Sequence, residues 1–342
     1  MRARLARKLE QTWYGSARPG ALLKFLEKVY YLGFRIHQRY QLARRATDLE
    51  HSAIIVVGNL TAGGTGKTPF VIRLVELARE AGFTPGVVSR GHGRLTNEPV
   101  SVHADSDPAE CGDEPVLIAR RARCPVQVDS EREQAVRLLF GQGVNLVIAD
   151  DGLQRSRLPR QLEICVVDRQ KGAGNGHLLP AGPLREPLSR LGDIEIVVEH
   201  CGPGVLPDEA EASLMQLQPG RFTRLHGDDS CTAEGLRSQG GKIHAIAGIA
   251  DPQRFWKTLA ELGLEFEAHP FPDHHVFRMR DFSGFPAAEI VVMTEKDAVK
   301  CSRLALFNAW FLPVSAKFSE PLEEKLRSAL HKMSKAANMK LT

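Results

Sequence analysis

The sequence predicts an α/β protein of two unequal lobes, and three observations predict it. An apolar run from Ala53 to Val57 leads through Gly58-Asn59-Leu60-Thr61-Ala62-Gly63-Gly64-Thr65-Gly66-Lys67-Thr68-Pro69 into a helical period over Phe70 to Ala81. There Val71, Leu74, Val75 and Ala78 share one face. A second apolar run ends on paired carboxylates, Asp150-Asp151-Gly152. A strand–loop–helix pattern then restarts at Lys242 to Ile246 and passes through Asp251-Pro252 into Phe255 to Leu262. Strands alternating with helices describe parallel sheets covered by helices. The expected class is a P-loop NTPase-like α/β/α sandwich with a second, smaller α/β lobe and an N-terminal amphipathic helix. The expected boundaries are 1–45 for a membrane-interface helix, 46–220 for the nucleotide-binding core and 221–342 for the second lobe.

Composition is that of a globular chain, and 342 residues suffice for one large or two medium domains. The six cysteines are scattered without a Cys-x-x-Cys pair, which argues against a disulfide framework or zinc site and for a reducing cytosol. The first residues lack the apolar core of a cleavable signal, and no apolar run is long enough to span a bilayer. Charge is unevenly placed. Residues 1–45 hold eleven Lys/Arg against two Glu, a net +9, whereas the whole chain carries +4.

Taken in order, residues 20–40 read as a helix. Leu22, Phe25, Leu26, Val29, Leu32, Ile36 and Tyr40 share one broad face, and Lys24, Lys28, Arg35 and Arg39 lie opposite. That pattern suits a helix lying on an anionic membrane surface, and equally a core-packed helix with a solvated basic side. Arg2, Arg4, Arg7 and Lys8 favour the membrane. Nucleic acid is not an expected partner, because no basic patch recurs later.

The loop Thr61-Ala62-Gly63-Gly64-Thr65-Gly66-Lys67-Thr68 sits between a strand and a helix, the context a phosphate-binding loop requires. Its backbone N–H groups and the helix start favour phosphate. Lys67 is placed for the β- and γ-phosphates of ATP, and Thr68 for Mg²⁺. Thr61 stands where the usual pattern opens with glycine. Val87-Val88 forms the next strand and runs into Ser89-Arg90-Gly91-His92-Gly93, with Arg90 either a phosphate contact or a surface arginine. Asp113 and Glu114 begin a helix over Val116 to Ala122 and locally read as acidic caps. Ser130-Glu131-Arg132-Glu133 reads as a capping box that opens a helix to Phe140.

Asp150 and Asp151 end a buried strand after a phosphate loop, the position of a Walker-B metal site. Leu162 to Asp168 is another strand. Leu178 to Pro187 is a proline-shaped loop, and Ile194 to Val198 resumes the sheet. Residues 202–220 read as a connection between lobes. Asp251 reads as a helix cap, and His274-His275 beside Asp273 as metal ligands, acid/base groups or structural histidines. Glu289 to Met293 is a strand ending in Thr294-Glu295-Lys296-Asp297. Ala309 to Val314 reads as the last strand, and Pro321 to Met333 as the last helix.

These motifs together resemble one family. They are Gly58-Asn59-Leu60 with Gly63 to Pro69, Ser89-Arg90-Gly91, Gly112-Asp113-Glu114-Pro115, Asp150-Asp151-Gly152-Leu153-Gln154, Leu179 to Glu186, Phe271-Pro272-Asp273-His274 and Thr294-Glu295-Lys296-Asp297. In this order they are similar to the tetraacyldisaccharide 4′-kinases of lipid A biosynthesis. The resemblance implies transfer of the γ-phosphate of ATP to the 4′-hydroxyl of a tetraacyldisaccharide 1-phosphate. It implies two α/β/α lobes, a lipid disaccharide substrate, no obligate protein partner, and peripheral attachment at the cytoplasmic face of the bacterial inner membrane. It makes Asp113 the catalytic carboxylate with His274 as its partner, and adds Lys67 and Asp151 to the catalytic set. It makes Thr68, Asp150 and Asp151 the metal set, and places Arg185 and Glu186 in the active-site loop. His92 stands where the family pattern has tyrosine. The alternative is a membrane-associated regulatory P-loop ATPase. Ala62 counts against it, because those loops carry a lysine there.

Overall fold

The computed structural model describes residues 2–95, 98–202 and 212–338, with side chains from Lys8 to Ala336. The side chains of Arg2, Arg4 and Arg7 therefore lie outside the described set. Two helices open the chain, α1 (Arg2–Tyr14) and α2 (Ala21–Ala43). The strand β1 (Ile54–Gly58) is buried at every position, so the sheet it enters is covered on both faces. Gly66, at φ 86°, makes the left-handed turn into α3 (Lys67–Glu80). The helix thus begins at Lys67, three residues earlier than its apolar period suggests.

The first lobe continues with β2 (Pro85–Ser89), β3 (Val100–Val102), α4 (Pro108–Cys111), α5 (Asp113–Ala122), β4 (Val126–Val128) and α6 (Arg132–Gly141). Next come β5 (Leu146–Asp150), β6 (Leu162–Asp168), β7 (Ile196–Cys201) and β8 (Leu214–Pro219). The second lobe holds β9 (Phe222–Arg224), β10 (Ser230–Cys231), α7 (Ala233–Ser238), β11 (Ile243–Ala247), α8 (Pro252–Glu261), β12 (Glu267–Pro270), β13 (Ile290–Thr294), α9 (Glu295–Cys301) and β14 (Ala309–Leu312). The described chain closes with β15 (Val314–Phe318) and α10 (Glu320–Asn338).

The large sheet has nine strands in the order β15-β8-β7-β6-β1-β5-β2-β4-β3. Its seven inner strands are parallel, and β3 and β15 pair antiparallel at the edges. The small sheet runs β10-β9-β14-β13-β11-β12. Apolar clusters cover both faces of each sheet, as buried parallel strands require.

Several expectations are corrected here. The stretch expected to link the lobes over 202–220 contains β8, a strand of the large sheet, and residues 203–211 of it lie outside the described ones. The run read as one last strand is two. Pro313 separates β14, in the small sheet, from β15, which returns to the large one. The second lobe therefore does not reach the chain end. The helix α10 packs Leu322, Leu326 and Leu330 into the first-lobe core with Phe70 and Phe318. The capping box does not form, because α6 starts one residue later than Ser130 would need. Asp129 Oδ1 instead accepts the Glu131 N–H at 2.8 Å. Asp251 occupies the N-cap position of α8 but makes no cap bond, and faces Lys171 at 2.7 Å.

The apolar face of α2 is exposed. Phe25 is 62% and Leu32 63% accessible, so that face is not packed into the core. Its other side is tied down: Glu27 accepts the Leu178 N–H at 2.7 Å and pairs with His177, and the Tyr30 hydroxyl donates to the Arg185 carbonyl at 2.8 Å. Among the described residues no helix is long and apolar enough to cross a membrane.

Because α10 belongs to the first-lobe core, Leu326→Ala should destabilise that lobe by about 2–5 kcal/mol. Urea denaturation measures it, and a loss well under 1 kcal/mol would mean that α10 is not part of this core.

Candidate active site

The parallel strands β1, β5, β2 and β6 end at one edge, where open α/β sheets hold their ligands. The phosphate loop leaves β1 there. Asn59, fully buried, holds it in shape. Its Nδ2 donates to the Thr61 carbonyl at 2.6 Å and the Gly63 carbonyl at 3.3 Å, and its Oδ1 accepts from Lys67 Nζ at 2.8 Å. Sequence reading missed this residue, although it lies inside the motif. Thr61 fits where glycine is usual because its φ is not positive, and it forms an antiparallel bridge with Leu184. The Ala62 N–H donates to the Pro183 carbonyl at 2.8 Å, so the proline loop braces the phosphate loop.

Lys67 lies 3.3 Å from Asp151, and Arg185 NH1 donates to both Asp151 oxygens at 3.1 Å. Burial works to raise the Asp151 pKa, but Lys67, then Arg185 and Arg132, overcome it and hold the carboxyl well below the usual range. Asp150 goes the other way. Full burial, followed by the charge of Glu114, pushes it up to about 7. Its Oδ1 is buried without a hydrogen-bond partner among the described residues. An orphaned carboxylate oxygen at the strand end, with the Thr68 hydroxyl at the helix start, is an all-oxygen donor set that fits Mg²⁺. Arg132 is buried as well; burial lowers its pKa to about 10, and its NH1 donates to the Asp151 carbonyl at 2.9 Å. Arg90 is exposed at the end of β2, within electrostatic reach of Arg132 and Arg155. Glu186 is buried, burial raises its pKa, and it accepts from Gln154 at 2.8 Å.

Asp113 and His274 are 161 positions apart and meet. His274 Nδ1 lies 3.1 Å from Asp113 Oδ2. Backbone packing makes room for this. Gly91 and Gly112 both have positive φ, and a Cβ on Gly112 would sit 3.1 Å from Gly91 Cα, so the two loops touch. His274 itself takes φ 58°, a conformation that costs a non-glycine residue free energy. The rings of His92 and His274 meet edge to face with centroids 5.0 Å apart. His275 does not join the pair and instead faces Asp281 at 3.0 Å.

Lys296, in the run Thr294 to Asp297 at the end of β13, is a member of this site. It donates to Glu114 at 3.0 Å and lies 3.8 Å from Asp113 and 3.7 Å from Asp273. Asp297 is a buried structural residue bonded to the Gly248 N–H at 3.0 Å and to Lys300 at 2.7 Å. Burial works to raise the Asp113 pKa, but the His274 hydrogen bond, then Lys296 and Lys300, hold it below the usual value. His274 is raised, chiefly by its bond to Asp113. His274 therefore orients Asp113 and keeps it ionised rather than making it a stronger base.

Further bonds join the lobes. Arg121 in α5 pairs with Glu295 in α9 at 2.8 Å. Arg254 in α8 pairs with Asp168 at the end of β6, and its NH1 lies 3.2 Å from His200 Nδ1. That nitrogen is also 3.0 Å from the Thr65 carbonyl of the phosphate loop.

The family model of the tetraacyldisaccharide-1-P 4′-kinases matches residues 20–331. The tetraacyldisaccharide 4′-kinase of Methylobacillus flagellatus is 43% identical, with 96% of this chain and 97% of that protein covered. That of Alkalilimnicola ehrlichii is 45% identical, over 83% of this chain and 84% of its own. Among solved structures, the crystal structure of LpxK from Aquifex aeolicus in complex with ATP is similar with a TM-score of 0.69 at 25% identity, and covers 90% of this chain and 99% of that one.

The His274 charge gives a pH signature. Its pKa is raised in the folded state, so its contribution to stability is complete below the unfolded value of 6.5 and is lost as pH rises through the folded value. His274→Asn tolerates the left-handed backbone and removes the charge. The stability gap between wild type and variant, from denaturant titrations across pH, should be widest at acidic pH and narrow on going alkaline. A gap that widens with pH would contradict the assignment.

Proposed function

Because the chain belongs to the tetraacyldisaccharide-1-P 4′-kinase family, we propose that the edge where its lobes meet is where phosphate passes from ATP to a lipid disaccharide. The chain is an ATP-dependent kinase of lipid A biosynthesis that phosphorylates the 4′-hydroxyl of a tetraacyldisaccharide 1-phosphate. The regulatory-ATPase alternative has no support from the family or from these relatives.

One observation supports the assignment of roles above the others: Asp113 Oδ2 and His274 Nδ1 stand 3.1 Å apart from opposite lobes, at the edge that also holds the phosphate loop. In the proposed reaction the sugar hydroxyl oxygen attacks the γ-phosphorus. The new O–P bond forms as the bond to the β–γ bridging oxygen breaks, ADP leaves, and the hydroxyl proton goes to Asp113. A loose phosphoryl transition state asks for positioning more than for a strong base. An ionised Asp113 with lowered pKa, fixed by His274, suits that demand. Lys67 lies ready for the β- and γ-phosphates, held by Asn59 and Asp151. Arg185 and Arg90 supply further positive charge at the same edge. Thr68 and Asp150 would hold Mg²⁺, with Asp151 beside them. Mg²⁺ held there would offset the negative charge of the phosphates. Asp150, whose buried oxygen has no other partner, is the direct ligand in this reading.

The exposed apolar face of α2, with Lys24, Lys28, Arg35 and Arg39 alongside, supports docking on an anionic membrane surface. An acylated substrate fits this placement at the cytoplasmic face of the inner membrane. In this reading residues 1–45 meet the membrane, the large-sheet lobe binds nucleotide, and the smaller lobe completes the site.

Asp113→Asn keeps the shape and removes the base. Phosphate transfer from labelled ATP to a tetraacyldisaccharide 1-phosphate should fall by about 10²–10⁴-fold while ATP still binds. Near-normal transfer by this variant would overturn the role. Changing Lys24, Lys28, Arg35 and Arg39 to Gln should weaken binding to anionic vesicles, most visibly at low salt. Binding that ignores both lipid charge and these residues would rule out the docking helix.

A further inference from the structure

One cluster outside the nucleotide cleft has the donor set of a metal centre. The strands β11 and β12 run parallel at the open edge of the small sheet, with His244 opposite Glu267. Strand alternation puts Glu267 and His269 on one face of β12. One ligand atom from each of these three residues lies within 4.8 Å of the others. His244 Nδ1 and His269 Nε2 are 3.0 Å apart, and Glu267 Oε1 is 3.8 Å from His269 Nε2. We propose that His244, His269 and Glu267 bind a late first-row divalent ion, zinc above all, through two imidazole nitrogens and one carboxylate oxygen, with solvent completing the shell.

The tautomer is set for it. His244 Nε2 makes a short hydrogen bond to Glu289, which places the proton there and leaves the Nδ1 lone pair facing His269. A carboxylate behind an imidazole is the usual support of a metal-bound histidine. The spacing also fits. Two Zn–N bonds of about 2.0–2.1 Å at a tetrahedral angle separate the nitrogens by about 3.3 Å, so the pair needs to open only slightly. Phe285 stacks on His244 with centroids 4.3 Å apart and lies 4.8 Å from His269, so both rings are already held. Two imidazoles select zinc, copper or nickel over magnesium and calcium, which take oxygen ligands.

The same atoms also form a metal-free arrangement. In it the His269 proton bridges to His244, and Lys242 sits 2.5 Å from Glu267. Metal binding at His269 Nε2 shifts that proton to Nδ1 and brings a second cation to the carboxylate that Lys242 already holds through its other oxygen. Lys242 is thus a competitor built into the site, and removing it strengthens metal binding. The bound ion would pin β12 to β11, and β12 runs directly into the segment that carries His274.

The test is calorimetric titration of zinc into untagged, chelator-treated full-length protein, kept reduced and with excess Mg²⁺ to occupy oxygen-only sites. One zinc ion should bind per chain near neutral pH. His269→Ala should abolish this binding, Glu289→Gln should weaken it about 10-fold, and Lys242→Met should tighten it. Cobalt substitution should give a visible spectrum that His269→Ala removes. His269 and Lys242 are not buried, so these arms hold even if a His244 variant fails to fold. Equal zinc binding by wild type and His269→Ala would overturn the proposal, as would no binding at micromolar zinc. A Lys242→Met variant that binds more weakly would also overturn it.

Discussion

The site is organised around two neighbouring carboxylates at the end of one strand, Asp150 buried and Asp151 partly exposed. Two such charges side by side cannot both ionise cheaply. The protein separates them with cations. Lys67 and Arg185 converge on Asp151 and keep it charged, while Asp150 is left buried with an unpaired oxygen. One carboxylate thus joins three segments distant in sequence: the phosphate loop, the end of β5 and the proline loop. That last loop in turn braces the backbone of the first, through Ala62 and Leu60.

The second lobe contributes in the same way, by charge across a gap. Lys296 and His274 come from it, and both point their positive charge at Asp113. Arg254 reaches the back of the phosphate loop through Asp168 and His200, whose pKa burial and Arg254 lower to about 4. The lobes are further joined because the chain leaves the small sheet at Pro313 and finishes in the large one. The first lobe is therefore not a simple run of sequence, and the second is inserted into it.

Much of this was legible from local pattern. The strand–loop–helix of the phosphate loop and the buried strand before Asp150 rest on periodicity and glycine placement, which act locally. What was not legible depends on the tertiary context. Ala309 to Val314 is one apolar run, and nothing local says that Pro313 divides it between two sheets. The strand β8 follows a Pro/Gly/acid-rich stretch and alternates too briefly to stand out. Ser130 and Glu133 have the spacing of a capping box, but Glu133 is buried beside Arg157, and Asp129 takes the capping role one step earlier. Asp113 reads locally as a helix cap; only its meeting with His274, or a resemblance carrying both residues, gives it another role. The place of Lys296 in the site is hidden for the same reason, since its three acidic neighbours come from other segments.

The helix α2 is not attached by a leash. Glu27 and Tyr30 fasten it to the same loop that supplies Arg185, so hydrogen bonds tie the helix to the phosphate-handling edge. A flexible tether would set only a radius within which the site could wander. A docked helix sets a height and a tilt. An apolar surface that covered Phe25 and Leu32 would therefore meet the cleft at one distance and one angle. The reach of the enzyme into that surface is then a matter of rigid geometry, not of chain length.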